Sequence, residues 1–431
     1  MRPELGGSHG LKAFIDAAAG LNMSVALDIV WNHASADSAL VNYDQPAAGD
    51  RCDDETGSCG SYFDKGAAEL TPWGPRPNMA DPNVRRWIVG AIQGLIDDFH
   101  VGSFRWDSTA CIRQVGGKKG DGGCDTDNSD GWLLMQEANA MAHSPKQTGP
   151  YSAKCRRAKV HQFTSVLDLF CDCVFPGAGT FVVAEDTWGA PYPAITAAVN
   201  DTSFPTPTGT SGGAGFDAQW GYTFYFAASG EVTKGNNDDI DVKRLMEACL
   251  GLPGEDPSKS VIFSENHDIS SNQAHNGVVG RIPHRIDSGT VPGGACGDVT
   301  SRIDCGMAVG KDRASCEAGG CCWSASPNPN PSHIPWCFKK PGKPLPPRRD
   351  PHRYWAEKKA MLLLGMVLTC PGSPMLLQGQ ELLTYDSFDF PTPPKVDWSL
   401  ADSNAGMLRE TKDMIALRSN IAGKSKRLAQ S

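Results

Sequence analysis

Four acidic residues, Asp28, Asp107, Glu185 and Asp268, each stand at or just after the end of a short apolar segment, and no other feature constrains the fold as strongly. The apolar segments read as strands: Val25 to Val30, Ser103 to Arg105, Phe181 to Ala184, Phe216 to Trp220, Val261 to Phe263 and Pro374 to Leu377. Helical patterns alternate with them. Leu11, Phe14, Ile15 and Ala18 recur at helical spacing, with Ser8 placed to cap that helix and Gly20 to stop it. Asp81 can cap a second helix and Pro82 suits its first turn, while Val84, Trp87, Ile88, Ala91, Ile92, Leu95 and Phe99 mark one face. Strands alternating with helices predict a parallel sheet covered on both faces, and such sheets collect functional side chains at the carboxyl ends of their strands. The four acids should then converge on one mouth.

Charge narrows the partners. Subtracting 49 acidic from 40 basic residues gives −9, and no basic cluster is dense enough to follow a phosphate backbone, which argues against nucleic acid and for a neutral ligand. No apolar run approaches the ~20 residues needed to cross a bilayer, so no membrane partner is expected. Fifteen cysteines are many for a reducing compartment, and six of them, Cys296, Cys305, Cys316, Cys321, Cys322 and Cys337, crowd into one short stretch. That density reads as a disulfide knot. Cys52 and Cys59, in a loop rich in Gly and Asp, form the best further pair, and no CxxC pair with a matching partner points to zinc.

The strand ends carry a resemblance. Asp28-Ile29-Val30-Trp31-Asn32-His33, Phe104-Arg105-Trp106-Asp107, the glutamate of Val183-Ala184-Glu185-Asp186, and Glu265-Asn266-His267-Asp268 resemble, in order, the four short motifs of the α-amylase superfamily. The resemblance implies an α/β fold, a (β/α)8 barrel, and a retaining reaction at an α-glycosidic bond. It makes Asp107 the nucleophile, Glu185 the general acid and then base, and Asp268 the stabiliser of the distorted sugar. Asp28, His33, Arg105 and His267 fall on substrate-binding positions, and the expected partner is an α-glucan polysaccharide or oligosaccharide. Arg105 would bring a cation to Asp107, whereas Glu185 must keep a proton, which the negative charges of Asp107 and Asp268 would favour. No cofactor is required; Asn32 matches a calcium ligand of many amylases, so calcium at Asn32 is carried as an expectation.

Within the superfamily, His33-Ala34-Ser35, the run from Asn83 to Asp107, and Ala184-Glu185-Asp186 look like glucan-branching enzymes. Asn32, Asn266-His267-Asp268 and Phe216-Asp217-Ala218-Gln219-Trp220 look more like amylases and trehalose-releasing hydrolases. Branching of 1,4-α-glucan is the leading expectation, with hydrolysis of α-1,4 bonds second, and a noncatalytic glucan-binding or inactive homologue the rival from another class. The Asp28 motif belongs to the third barrel strand of that family, so a barrel lacking its first two strands, in a fragment of a longer chain, is expected.

The cysteine-dense stretch, with Arg302 before Cys305, Cys321-Cys322-Trp323, and Pro335-Trp336-Cys337-Phe338, resembles a P-type trefoil domain. The resemblance implies Cys296–Cys322, Cys305–Cys321 and Cys316–Cys337 disulfides, which suit a module too small to be held by its core alone. Lying in a strand-to-helix loop, it could offer Trp323 and Trp336 to sugar rings. Oxidised cysteines suggest lumenal or secreted residence, although the chain shows no signal peptide. The expected organisation is a catalytic barrel over 1–295 with a small loop insertion at about 34–80, the trefoil at 296–338, a Pro-rich linker at 339–352, and barrel completion with the start of a C-terminal region over 353–431.

Overall fold

The computed structural model describes residues 3, 6–21, 23–35, 62–64, 70–71, 73–116, 124–144, 180–186, 191–234, 237–251, 256–270, 281–288, 322–323, 337–338, 351–385, 388 and 395–419. The chain divides into two compact units: residues up to 222 with 255–261 in the first, and 223–254 with 262–428 in the second.

In the first unit the order is α1 (Gly7–Gly20), β1 (Ala26–Ile29), a hairpin of β2 (Leu70–Thr71) and β3 (Gly74–Pro75), α2 (Pro82–Phe99), β4 (Ser103–Trp106) and α3 (Ala110–Arg113). A second small hairpin follows, of β5 (Gln114–Val115) and β6 (Thr126–Asp127), then α4 (Ser129–Ala142), β7 (Phe181–Ala184), α5 (Pro193–Thr196), β8 (Ala218–Trp220) and β9 (Ser260–Ile262). Strands β1, β4, β7, β8 and β9 pair in that order, all parallel, in an α/β arrangement. Among the described residues the strands form an open sheet and do not close into a barrel.

Local chemistry explains these elements. Asp81 caps α2 by accepting from the Asn83 N–H at 2.8 Å, and Pro82 occupies its first position. Val84, Ile88, Ile92 and Ile96 form its buried stripe, and each full burial of such a side chain contributes about 1.5–3 kcal/mol. Trp87, expected on the same face, stays 40% exposed and sets its ring edge-on to Trp31, centroids 5.6 Å apart. Ser8 does not cap α1: the helix begins one residue earlier, and Gly6 takes the cap position at φ 93, a left-handed conformation that suits glycine. On one face of the sheet Phe104, Trp106, Val182 and Ala184 join the core with Ile29, Trp132 and Phe216. The alternate residues, Asp28, Arg105 and Val183, stand in register on the other face. The disulfide Cys111–Cys124 joins α3 to the chain just before β6, a pairing the sequence reading left open.

The second unit contains α6 (Tyr222–Val232) from its second residue on, α7 (Val242–Leu250), α8 (Ile282–Ser288), β10 (Cys322–Trp323), β11 (Cys337–Phe338), α9 (Pro351–Thr369), β12 (Ser373–Pro374), α10 (Leu400–Ser403) and α11 (Ala405–Arg418). Its core gathers Phe224, Leu245, Ile262, Ile282, Leu363, Val367 and Met407. The predicted strand from Pro374 to Leu377 is shorter than expected, yet the Met375 N–H still donates to the Ile262 carbonyl at 2.8 Å. Cys249 and Cys370 form a disulfide that joins the end of α7 to the chain after α9, again without a sequence signal. β10 and β11 pair antiparallel. The Cys52–Cys59 pair, the partners Cys296, Cys305, Cys316 and Cys321, and Trp336 lie outside the described residues.

Candidate active site

Register builds the site. β1, β4 and β7 are parallel neighbours, with Asp28 opposite Arg105 and Arg105 opposite Val183. Two residues further along, the ladder continues past the strands: the Asp107 N–H donates to the Ile29 carbonyl and the Glu185 N–H to the Trp106 carbonyl, each at 3.0 Å. Asp107 and Glu185 are therefore held by main-chain bonds at adjacent strand ends, about one strand spacing of ~4.8 Å apart along the sheet. A period of two puts Arg105 and Asp107 on the same face.

Arg105 joins the acids. Its Nη1 donates to both Asp28 carboxylate oxygens at 2.7 and 2.8 Å and to Asp107 Oδ1 at 2.7 Å, while Nη2 pairs with Glu185 Oε2. The guanidinium also lies over the Trp220 ring, 4.4 Å from its centroid. Burial alone would lower the basicity of Arg105, but Glu185, Asp28 and Asp107 around it raise it above the ordinary arginine value. Sequence reasoning gave Arg105 to Asp107 alone and surrounded Glu185 with negative charge only. The structure corrects this, because a fork with several donors can bridge three carboxylates where the strand register brings them together.

Glu185 has further partners that sequence reasoning missed. The Ser108 N–H donates to Oε2 at 3.0 Å, and the Tyr222 hydroxyl donates to Oε1 at 3.1 Å. Ser108 reaches that position at φ 41, a left-handed conformation unusual for a residue with a side chain. The signal for it was the position itself, directly after Asp107, where the chain must turn from strand into α3.

Asn32 is fully buried; its Nδ2 donates to Asp107 Oδ2 at 3.1 Å and its Oδ1 faces His33 Nδ1. Burial lowers the His33 pKa, only partly offset by the Asp107 charge, so His33 is neutral at neutral pH. This arrangement does not fit Asn32 as a calcium ligand. The oxygen a cation would need is turned to a ring nitrogen, and among the described residues no group of three or more His, Cys, Asp and Glu side chains is gathered for a metal. Beside His33 lies the half-exposed Trp73, with ring centroids 5.7 Å apart. Gly74, next to Trp73, packs against the chain just after His33: a Cβ there would collide with the Ala34 carbonyl, and its φ of 155 favours glycine.

Asp268 and His267 belong to the second unit, where the His267 Nε2 lies 3.3 Å from Asp268 Oδ1. Asn266 holds the turn by accepting from the Ile269 N–H at 2.8 Å, and Glu265 is buried in an ion pair with Arg281 at 2.7 Å. Trp323 is half-buried on β10. The structure thus brings together Asp28, Asn32, His33, Arg105, Asp107 and Glu185, and describes Asp268, His267 and Trp323 in the other unit.

Residues 296–340 match the family described as Trefoil (P-type) domain. Over 110 residues the chain is 30% identical to the malto-oligosyltrehalose trehalohydrolase of Saccharolobus solfataricus, a stretch that covers 25% of this chain and 17% of that protein. Similar solved structures include the cyclic alpha-maltosyl-(1→6)-maltose hydrolase of Arthrobacter globiformis in complex with maltose, at 13% identity and TM-score 0.48, covering 95% of this chain and 63% of that one. Another is the type I pullulanase of Bacillus subtilis str. 168 with maltose, at 12% identity and TM-score 0.48, covering 95% of this chain and 42% of that one. The chain spans less than two thirds of the length of each of these relatives.

Proposed function

We propose that the protein acts on α-glucans through a retaining glycosyl-enzyme mechanism of the α-amylase type on a (β/α) barrel architecture. The observation that carries this reading is the pairing of Asp107 and Glu185 at the ends of adjacent parallel strands, bridged by Arg105. A retaining pair needs carboxyl groups roughly 5–5.5 Å apart, and neighbouring in-register strands supply a separation of that order. The four ordered motifs and the local likeness to a trehalohydrolase support the same class.

In the first step the Asp107 carboxylate attacks the anomeric carbon while Glu185 passes its proton to the glycosidic oxygen. The carbon–oxygen bond breaks, and a glycosyl ester forms on Asp107. In the second step the Glu185 carboxylate takes a proton from the attacking hydroxyl, whose oxygen displaces Asp107 and restores the α configuration. Asn32 and Arg105 orient Asp107, and neutral His33, Asp28 and His267 are assigned to sugar hydroxyls, with Asp268 steadying the distorted ring. Arg105 and the Ser108 N–H occupy Oε2, so Oε1 is the oxygen that carries the Glu185 proton in the first step; the Tyr222 hydroxyl accepts from it there and donates to Oε1 once the proton has gone to the leaving oxygen.

The finer reading is transfer to another glucan chain, giving branches, as His33-Ala34-Ser35 and Ala184-Glu185-Asp186 suggest. Hydrolysis is the second reading, favoured by the trehalohydrolase match. Incubation with amylose, followed by debranching and counting of reducing ends, separates them. New branches with few new reducing ends support transfer; rising reducing ends without branches support hydrolysis. Either activity should vanish in Asp107→Ala, and activity that survives that substitution contradicts the assignment.

A further inference from the structure

The segment that follows Asp107 and the peptide that follows Glu185 are locked to each other by a buried polar clamp outside the carboxylate site. The Thr109 N–H donates to the Glu185 carbonyl at 2.7 Å, and the Thr109 hydroxyl reaches the same carbonyl at 3.0 Å and Asp186 Oδ2 at 3.1 Å. Asp186 has no exposed side-chain surface and is gripped by Arg113, whose Nε and Nη2 lie 3.0 and 2.9 Å from its two oxygens. Arg113 is itself fixed between that carboxylate and the Tyr192 ring, 4.4 Å from its centroid. Thr109 is likewise fully buried.

We infer that Thr109, Arg113 and Asp186 are positioning residues that set the separation of Asp107 and Glu185. The reasoning is geometric. Asp107 is two residues from Thr109 along the chain, and Glu185 is the residue before Asp186, so the clamp ties the backbone carrying one carboxylate to the backbone carrying the other. The left-handed turn at Ser108, between Asp107 and Thr109, leaves few other ways to constrain that backbone. Bidentate pairing to a planar guanidinium fixes direction as well as distance, which a point charge would not. Attack and proton donation occur in one transition state, so a small loss of registration between the two carboxyl groups lowers turnover more than it weakens ground-state binding. None of the three needs to touch sugar.

This inference rests on the roles proposed for Asp107 and Glu185, and the test separates the two. Turnover of amylose and melting temperature are measured for Thr109→Val, Thr109→Ser, Asp186→Asn, Arg113→Lys and Glu185→Gln. Thr109→Val keeps the side-chain shape and loses the hydroxyl; kcat should fall about tenfold with KM changed by less than about threefold, and Thr109→Ser should restore kcat to within about twofold. Asp186→Asn and Arg113→Lys should follow Thr109→Val. Should the charged variants fail to fold, the Thr109 pair decides alone. Inactive Glu185→Gln together with wild-type kcat in Thr109→Val overturns the positioning role and leaves the proposed chemistry standing. A drop equal in Thr109→Val and Thr109→Ser, or one expressed in KM, overturns it as well. Wild-type turnover in Glu185→Gln removes the chemical reading, and the clamp's purpose with it.

Discussion

Arg105 carries more of this site than any other side chain, because one guanidinium meets Asp28, Asp107 and Glu185 while lying on Trp220. Removing a cation from three carboxylates leaves charge without compensation, so Arg105→Met should cost about 3 kcal/mol of stability, measured by denaturant unfolding. Arg105→Lys should recover part of that stability and little activity, since an ammonium cannot reproduce the fork; activity of Arg105→Lys equal to wild type would show that charge alone matters. Asp64 offers a separate pH signature. Burial raises its pKa from 3.8 to about 6, with Arg76 opposing and Asp130 adding to the rise. The folded chain therefore holds that proton more tightly than the unfolded chain. The stability it contributes is complete below about pH 4 and is lost as pH rises to about 6. Asp64→Asn should flatten the dependence of unfolding free energy on pH across that window, and an unchanged slope would contradict the account. The acids were legible in the sequence because their motifs mark strand ends. The shared use of Arg105 was not, since it depends on which residues of separate strands fall into register.

Elements behaved much as their patterns foretold. Five of the six apolar segments became strands, the sixth overlaps β12 at Pro374 alone, and Asp81 and Pro82 start α2 as capping chemistry requires. Ser8 misled because a good capping residue loses to a glycine that takes the left-handed turn ahead of it. The short helix α3 was invisible to periodicity, being only 4 residues long, yet it holds Thr109 at its cap and Arg113 at its end. Its surroundings explain its stability. The buried Arg76 donates to the carbonyls of Cys111 and Gln114, and Cys111 is bonded to Cys124. A sequence separation of 13 predicts about 3 kcal/mol from loop closure. Cys111→Ser with Cys124→Ser should lower the melting temperature accordingly and reduce kcat; undiminished stability would show that packing alone secures α3. Gly131 in α4 lies so close to the Ile112 carbonyl that any Cβ would collide with it. Gly131→Ala should push α4 and α3 apart and destabilise by about 1–3 kcal/mol, as overpacking does, readable in the same melt.

For the whole molecule, the parallel strands and the first two helices were legible among the described residues, and the cysteine cluster lies in residues 296–340, which match the trefoil family. The division into two units was not, and neither was the Cys249–Cys370 disulfide, whose 121-residue separation no local spacing can report. Pairing across so long a loop depends on where the core places the end of α7 and the chain after α9, which only the folded unit decides. The account as a whole stands on the proposed covalent step at Asp107. The most direct measurement is mass spectrometry of the protein after exposure to an activated fluorosugar form of maltosyl fluoride, with peptide mapping of any adduct. The anomeric fluoride leaves and the ring fluorine stays, so the account predicts one fluoro-substituted maltosyl increment on the peptide containing Asp107, absent from Asp107→Asn. Turnover of amylose with no adduct, or an adduct on any other residue, would contradict it.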